Sequence, residues 1–116
     1  MKLDEICRQL NLVDLTPELA MAEIDVTSGY VSDLLSDVLA HASQGGVLVT
    51  VQVHMNVVAV AVHSELGAVI FAGDRRPEEV VRRKAIEEKV PLLGSSQLAF
   101  ELVGRLYAMG VGGNQA

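Results

Sequence analysis

Residues 47–53 read Val-Leu-Val-Thr-Val-Gln-Val, and this segment begins with three apolar residues in a row. A strand that is covered on both faces has this pattern, and such strands are typical of parallel sheets flanked by helices. We therefore predict that the segment forms a central strand of a sheet. Residues 68–71, Ala-Val-Ile-Phe, predict a second strand, and Leu92-Leu93 predicts a short third one. A short extended piece is expected around residues 12–15.

Apolar residues spaced three and four apart predict helices around these strands. We expect one helix over residues 3–10 and another that begins at residue 31, after a cap at Thr27 or Ser28, and ends near Gly45-Gly46. A third runs from Pro77 to about residue 89, and a fourth lies near residues 98–106. The residues assigned to their buried faces are Leu3, Ile6, Cys7 and Leu10; Val31, Leu34, Leu35, Val38, Leu39 and Ala42; Val80, Val81 and Ala85; and Leu98, Ala99, Leu102, Val103 and Leu106.

The pattern leaves two segments open. Residues 17–26 could begin a helical turn at Pro17 or form a strand that ends at Val26. Residues 57–62 are rich in valine, which favours a strand, yet Asn56 before them and Glu65-Leu66-Gly67 after them suit a helix. Residues 110–116 are expected to be a frayed tail. The alternation of strands and helices predicts a single α/β domain over residues 1–116, with a mostly parallel sheet, right-handed crossovers and helices on both faces.

Composition excludes several classes of protein. The chain has 116 residues, of which 50% are hydrophobic, and its formal net charge is −6. That charge disfavours nucleic acid as a partner, and an aromatic content of 3% leaves few platforms for stacking bases. The one cysteine, Cys7, excludes an internal disulfide. The longest apolar run, residues 57–62, is far shorter than a membrane span. We expect a soluble, cytoplasmic protein.

Four polar loops that follow the predicted strands form the candidate ligand site: residues 27–29, 54–56, 73–76 and 94–96. Open parallel sheets bind ligands beyond the carboxyl ends of their strands, where helix N-termini offer free N–H groups and a partial positive charge. If all these loops share that edge, an anionic or hydroxyl-rich ligand suits it, with Arg75 or Arg76 as the cation. Ordinary helix capping and turn formation explain the same residue types. The candidate ligand-binding residues are Thr27, Ser28, Gly29, His54, Asn56, Gly73 and Arg75.

No catalytic or metal-binding pattern is visible in the sequence. The three histidines are scattered without paired spacing, so we expect neither a metal site nor a cofactor. Cys7 lies on the inward face of the first helix and is expected to be a small buried apolar residue. A P-loop, a nucleophile elbow and a dinucleotide-binding glycine motif are all missing. An enzymatic role rests only on His54 near Asp74.

Four segments resemble the DRTGG-domain family and keep the order of that family. They are residues 25–38, DVTSGYVSDLLSDV; residues 69–75, VIFAGDR; residues 91–93, PLL; and residues 100–106, FELVGRL. Members often carry V-T-G-G-Y-x-S-D-L-L-S-D in the first segment and T-G-G-R in the second. This chain departs from that pattern at Ser28, Ala72 and Asp74.

The resemblance implies a fold and a class of function. The fold is a three-layer α/β/α sandwich with a mostly parallel central sheet, in which residues 57–66 form a helix. Similar domains form the N-terminal part of HPr kinase, whose P-loop lies in a separate domain, and occur between CBS modules in regulatory pyrophosphatases controlled by adenine nucleotides, including diadenosine polyphosphates. The resemblance therefore implies a non-catalytic regulatory module that forms a homodimer and binds an adenine nucleotide. A protein-interaction adaptor without a small ligand is the alternative, and an enzyme related to HPr kinase is a disfavoured third reading.

Overall fold

One sheet of five strands forms the centre of the computed structural model, which describes residues 1–113. The strands are β1 (Val13–Asp14), β2 (Gly29–Val31), β3 (Val47–Thr50), β4 (Ala68–Phe71) and β5 (Leu92–Gly94). Their order across the sheet is β1-β5-β4-β3-β2. Strands β2 to β5 are parallel to one another, and β1 pairs antiparallel with β5.

Helices cover both faces of this sheet. They are α1 (Leu3–Leu10), α2 (Leu35–His41), α3 (Met55–His63), α4 (Glu79–Glu87) and α5 (Ala99–Ala108). Helices α1 and α5 pack with Val47, Val49 and Ile70 on one face, and α2, α3 and α4 pack with Leu48 and Phe71 on the other. Successive strand residues point to opposite faces, so β3 and β4 supply both halves of the core. The three-layer α/β sandwich predicted from the sequence is confirmed.

Several predicted elements lie where the sequence placed them. Strand β4 spans the predicted residues, and β3 is an interior strand whose four residues are all buried. Helix α1 ends at Asn11, which adopts a left-handed conformation with φ of 53°. Residues 57–62 belong to helix α3, as the resemblance implied. Residues 17–26 contain neither a helix nor a strand, and only Asp25 forms an isolated bridge, with Lys2.

The helix predicted to begin at Val31 is wrong over its first turn. Residues 29–31 form the edge strand β2 instead, and α2 begins only at Leu35. Tyr30 and Val31 pair with β3, so the backbone groups of this segment are satisfied by the sheet rather than by a helix. Val31, Leu34 and Leu39 are exposed, although the predicted apolar stripe assigned them to the core. Thr27 and Ser28 therefore precede a strand and cap no helix.

Two smaller expectations also need correction. Val80 and Leu98 were placed on buried helix faces, yet both side chains are exposed. The tail was predicted to fray from Gly110, but Val111 is buried against the α1–α5 face. The carbonyl of Gly112 accepts a hydrogen bond from the N–H of Gly29 at 2.7 Å. The remainder of the predicted tail, residues 114–116, lies outside the described residues.

Candidate functional site

The carboxyl edge of the sheet is formed by the segments that follow strands β2 to β5, which are residues 32–33, 51–54, 72–76 and 95–98. Three of the four predicted polar loops lie at this edge. His54 follows β3 and directly precedes α3, which contains Asn56. Gly73 and Arg75 follow β4, and Ser95 follows β5. Because these strands are parallel neighbours about 4.8 Å apart, the loops lie side by side. The shared edge predicted for these residues is confirmed.

Thr27, Ser28 and Gly29 lie at the opposite, amino edge of the sheet, so the predicted single edge is wrong for them. Gly29 begins β2, and its two predecessors come before a strand. The N–H of Thr27 donates to the Gly45 carbonyl at 3.1 Å, and the Ser28 carbonyl accepts from the N–H of Val47 at 2.9 Å. Ser28 itself is buried. A strand of four residues separates the two edges by about 13 Å, so these residues do not join His54 and Arg75 in one cleft.

The Gly73-Asp74 loop is a tight turn whose backbone donors are all in use. Both residues have positive φ angles, 64° for Gly73 and 60° for Asp74, which matches a type I′ turn. The N–H of Gly73 donates to the Gln97 carbonyl and that of Asp74 to the Ser95 carbonyl, each at 2.8 Å. The N–H of Arg75 donates to the Ala72 carbonyl at 3.3 Å. Gly73 therefore provides turn geometry, and this loop offers no backbone cradle for an anion.

The two arginines of this loop differ in their availability. The Arg76 guanidinium donates to the Arg75 carbonyl at 3.0 Å, lies 3.7 Å from the Asp74 carboxylate and packs over Gly94. A Cβ at Gly94 would lie 2.5 Å from Nη1 of Arg76, so a larger residue there would displace the Arg76 guanidinium. Arg75 is exposed, and its side chain has no hydrogen bond or ion pair to any of residues 1–113. Arg75 is therefore the available cation of the carboxyl edge.

His54 acts as the cap of α3. Its Nδ1 accepts a hydrogen bond from the N–H of Asn56 at 3.2 Å. The cap predicted at Asn56 is thus two residues too late, because His54, the residue before the helix, supplies the acceptor. The first turn of α3 carries no acidic residue that would neutralise the positive end of this helix dipole.

Sequence reasoning missed the residues that hold the carboxyl edge together. Asp33, assigned to the solvent face of a helix, accepts from Thr50 Oγ1 and from the N–H of Val51, both at 2.9 Å. Gln97 has a buried Oε1 that finds no hydrogen-bond partner within the described residues. Ser32 and Asp33 directly follow Tyr30 and Val31, and this pattern would have indicated the end of a strand.

An apolar surface away from the polar loops was also missed. Two adjoining grooves of about 640 and 450 Å³ run between α5 and the edge strand β2. We call them together the α5–β2 groove, which is lined by Val31, Phe100, Val103, Gly104 and Tyr107. Phe100 is 87% exposed and Tyr107 is 69% exposed. These two grooves thus lie on an apolar face, and of the predicted ligand-binding residues they are lined by Gly29.

Chemically reactive groups are sparse in the described part of the chain. No cluster of three or more His, Cys, Asp or Glu side chains in residues 1–113 could hold a metal ion. Burial, with smaller effects from the Asp14 and Asp4 carboxylates, raises the pKa of the Cys7 thiol to about 11. A thiol with so high a pKa is a poor nucleophile. No helix in residues 1–113 has the length and apolarity needed to cross a membrane.

Comparison with known proteins gives similarity to solved structures but no match by sequence. No family model and no curated protein matches the chain. The structure is similar to the CBS and DRTGG domains of the regulatory region of a Clostridium perfringens pyrophosphatase, with a TM-score of 0.70 at 14% sequence identity. That crystal structure is a complex with an activator, diadenosine tetraphosphate. The match covers 96% of this chain but only 47% of the other, so this chain spans about half its length. The resemblance to a DRTGG-like domain holds at the level of the fold.

Proposed function

We propose that this chain is a non-catalytic regulatory module, a single domain over residues 1–116 that works in the cytoplasm. It binds a small anionic ligand, such as an adenine nucleotide, at the carboxyl edge through His54, Asn56, Gly73 and Arg75. Gly73 keeps the turn that presents Arg75, and Arg75 supplies the positive charge. The fold shared with the regulatory region of a pyrophosphatase that binds diadenosine tetraphosphate supports a regulatory, nucleotide-binding role.

The state of Arg75 is the observation that carries the ligand site. Its guanidinium has no partner within residues 1–113, although fifteen acidic residues accompany nine basic ones in this chain of net charge −6. It lies on the loop next to the N-terminus of α3, whose first turn has no acidic residue. Guanidinium groups and helix N-termini both favour phosphate and carboxylate groups. The two features together suit an anion better than a neutral ligand.

The role of His54 supports a module without catalytic activity. A general base needs a free nitrogen close to the proton that it removes. His54 Nδ1 is engaged with the N–H of Asn56, and Asp74 pairs with Arg76 rather than with the histidine. His54 and Asp74, the pair that suggested an enzyme, are therefore both engaged in structural contacts.

Calorimetric titration and thermal melting with ATP, AMP and diadenosine tetraphosphate test the ligand site. A ligand at a hundredfold excess over its dissociation constant stabilises the folded protein by about 2.7 kcal/mol. We expect Arg75→Ala to weaken binding about tenfold or more, since hydrogen bonds to charged groups contribute about 1.5–3 kcal/mol. Arg8→Ala is the matched control, because it removes one exposed positive charge from α1. Absence of a shift with all three nucleotides would remove them as ligands.

We further propose that the module is a homodimer. The exposed Phe100 and Tyr107 of the α5–β2 groove support an interface, because exposed apolar patches mark contact sites. Sedimentation velocity at protein concentrations from about 1 to about 100 µM is expected to show a dimer.

A different protein partner on the same groove is the second candidate function. It is favoured if a purified partner binds the groove while the polar loops tolerate alanine. Binding of that partner would be lost on Phe100→Ser and retained on Arg75→Ala, the reverse of the pattern expected for a nucleotide.

A further inference from the structure

The outer surface of α5 combines apolar side chains, a glycine and one pair of opposite charges. The chain contains two Phe and two Tyr in all, and one of each, Phe100 and Tyr107, is exposed on this helix. A Cβ at Gly104 would meet no atom within 4 Å, so the space above this glycine is open. Glu101 and Arg105 line the same groove, and neither is in an ion pair within residues 1–113. The exposed aromatic side chains could pack against a partner, and the two charged side chains could form ion pairs with it.

We propose that the α5–β2 groove binds a second copy of this chain through antiparallel α5 helices, with Glu101 of each copy facing Arg105 of the partner subunit. This inference rests on the homodimer proposed above and assigns it a surface and an orientation. A two-fold interface uses the same patch on both copies, so each charge in the patch needs its complement in the patch itself. Glu101 and Arg105 meet that condition, because they lie at equal distances in sequence from Val103.

The geometry of a ten-residue helix sets what the two-fold axis brings together. Residues 101 and 105 are about 6 Å apart along the helix axis, with residue 103 midway between them. A two-fold axis that passes near Val103 places each Glu101 opposite Arg105 of the partner subunit, twice per dimer. The same axis brings Phe100 to the level of Leu106 and Tyr107 of the opposite helix. Gly104 lies next to the crossing point, and a missing side chain there allows the helix axes to approach to about 8 Å.

Charge also favours a second copy over other occupants. Two chains that each carry a net charge of −6 repel one another wherever their acidic surfaces face. The outer surface of α5 is locally neutral, because Glu101 and Arg105 cancel. A uniformly basic helix would be attracted by Glu101 but repelled by Arg105, and for a uniformly acidic helix the two effects are reversed. A partner with the mirrored order of the two charges removes both repulsions, and an antiparallel copy of α5 has that order.

Charge exchange at these two positions tests the interface. We expect Glu101→Arg alone and Arg105→Glu alone to weaken dimerisation about tenfold or more, since each places two like-charge contacts in the dimer. The double variant Glu101→Arg/Arg105→Glu restores opposite charges and is expected to return the dissociation constant to within about threefold of the original. Glu23→Arg changes the net charge as much as Glu101→Arg does, but at an exposed position off the groove, and is the matched control. Phe100→Ser is expected to weaken the dimer as well.

Analytical ultracentrifugation of the intact chain separates the outcomes. Loss of the dimer in both single variants with rescue in the double variant supports the proposed orientation. If all three charge variants dimerise as tightly as the wild type, the homodimer stands and the proposed surface is overturned. Loss in the single variants without rescue overturns the antiparallel pairing. A wild-type chain that is monomeric throughout overturns both the surface and the homodimer, while the nucleotide titrations judge the ligand site separately.

Discussion

Asp33 is the residue on which the carboxyl edge most depends. Its carboxylate accepts from the buried Thr50 hydroxyl, which in turn accepts from the N–H of Gln52 at 3.1 Å. A second acceptor contact reaches the N–H of Val51. Loops after β2 and β3 are thereby fixed to each other, and removal of the carboxylate would leave two donors without a partner at once.

We expect Asp33→Ala to lower the free energy of unfolding by about 1–2 kcal/mol, since a hydrogen bond contributes about 1 kcal/mol. Asp33→Asn keeps an acceptor oxygen and is expected to lose less than half as much. Urea unfolding at neutral pH measures both variants. Equal losses in the two would show that charge, and not the acceptor geometry, is what matters at this position.

Arg82 gives the molecule a pH-dependent contact between α4 and the segment after β1. Its Nη1 donates to Glu18 at 2.8 Å, and its Nε donates to Glu79 at 2.8 Å. Hydrogen bonds from its own backbone and from Arg82 hold the pKa of Glu18 below its usual range, and Arg82 does the same for the pKa of Glu79. Both carboxylates therefore stabilise the folded state above their ordinary pKa of about 4.3. This contribution is lost as the pH falls through the lower folded-state values.

The stability difference between wild type and Arg82→Ala is accordingly expected to be larger at pH 7 than at pH 3. Arg83→Ala serves as the control, because Arg83 is 76% exposed and within residues 1–113 forms an ion pair only with Glu79, at 3.3 Å. Urea unfolding of the three proteins at both pH values measures the effect. A difference for Arg82→Ala that is the same at both values would contradict the assignment.

The types of residue in the candidate site were predictable, but their partners were not. Gly73 and Arg75 follow a buried strand, so their place at the carboxyl edge could be inferred from the sequence. That Gln97 and Ser95 occupy the backbone donors of Gly73 and Asp74 depends on the neighbouring strand, and a linear pattern does not record it. Thr27 and Ser28 were misplaced because cap residues and residues before an edge strand are of the same types.

Helix α3 forms because its valines are buried against the sheet, and not because valine favours helices. Val57, Val58 and Val60 are buried against the sheet, although valine disfavours helices. Tertiary burial therefore overrides local preference, which explains why the pattern left residues 57–62 open and only the resemblance indicated a helix.

Two substitutions in α3 separate burial from propensity. Val58→Ala is expected to lower the free energy of unfolding by about 2 kcal/mol, since Val58 is 1% exposed and its methyl groups leave a cavity. Val62→Ala is expected to be neutral or stabilising by up to about 0.7 kcal/mol, because Val62 is 42% exposed and alanine is the better helix former. Thermal or urea unfolding decides, and a similar loss in both variants would contradict this account.

Strand β2 shows where short elements escape prediction. Three residues are too few to display an alternation, and Val31 happens to continue the apolar spacing of α2. Pairing with β3 is a long-range event that decides the state of the segment. The same limit did not affect β4, whose four apolar residues lie between turns on both sides.

At the scale of the whole molecule, both edges of the sheet depend on distant chain segments. The segment 111–113 covers the start of β2, where Gly112 accepts from Gly29 and Val111 packs into the core. Removal of residues 111–116 is expected to lower the free energy of unfolding by about 2–4 kcal/mol, from the buried valine and the lost hydrogen bond. Removal of residues 114–116 alone is the control. Hydrogen exchange at the Gly29 amide is expected to speed up only in the longer truncation, and unchanged exchange there would contradict the contact.

The opposite edge is closed by β1, which pairs with β5 in the register Val13 to Gly94. During synthesis on the ribosome, β1 emerges first and its partner follows roughly eighty residues later, about four to sixteen seconds at 5–20 residues per second. The segment that contains β1 and the amphipathic helix α1 therefore remains unpaired until the last of the four parallel strands is synthesised. We expect nascent chains of this protein to be most accessible to chaperones and proteases in that interval.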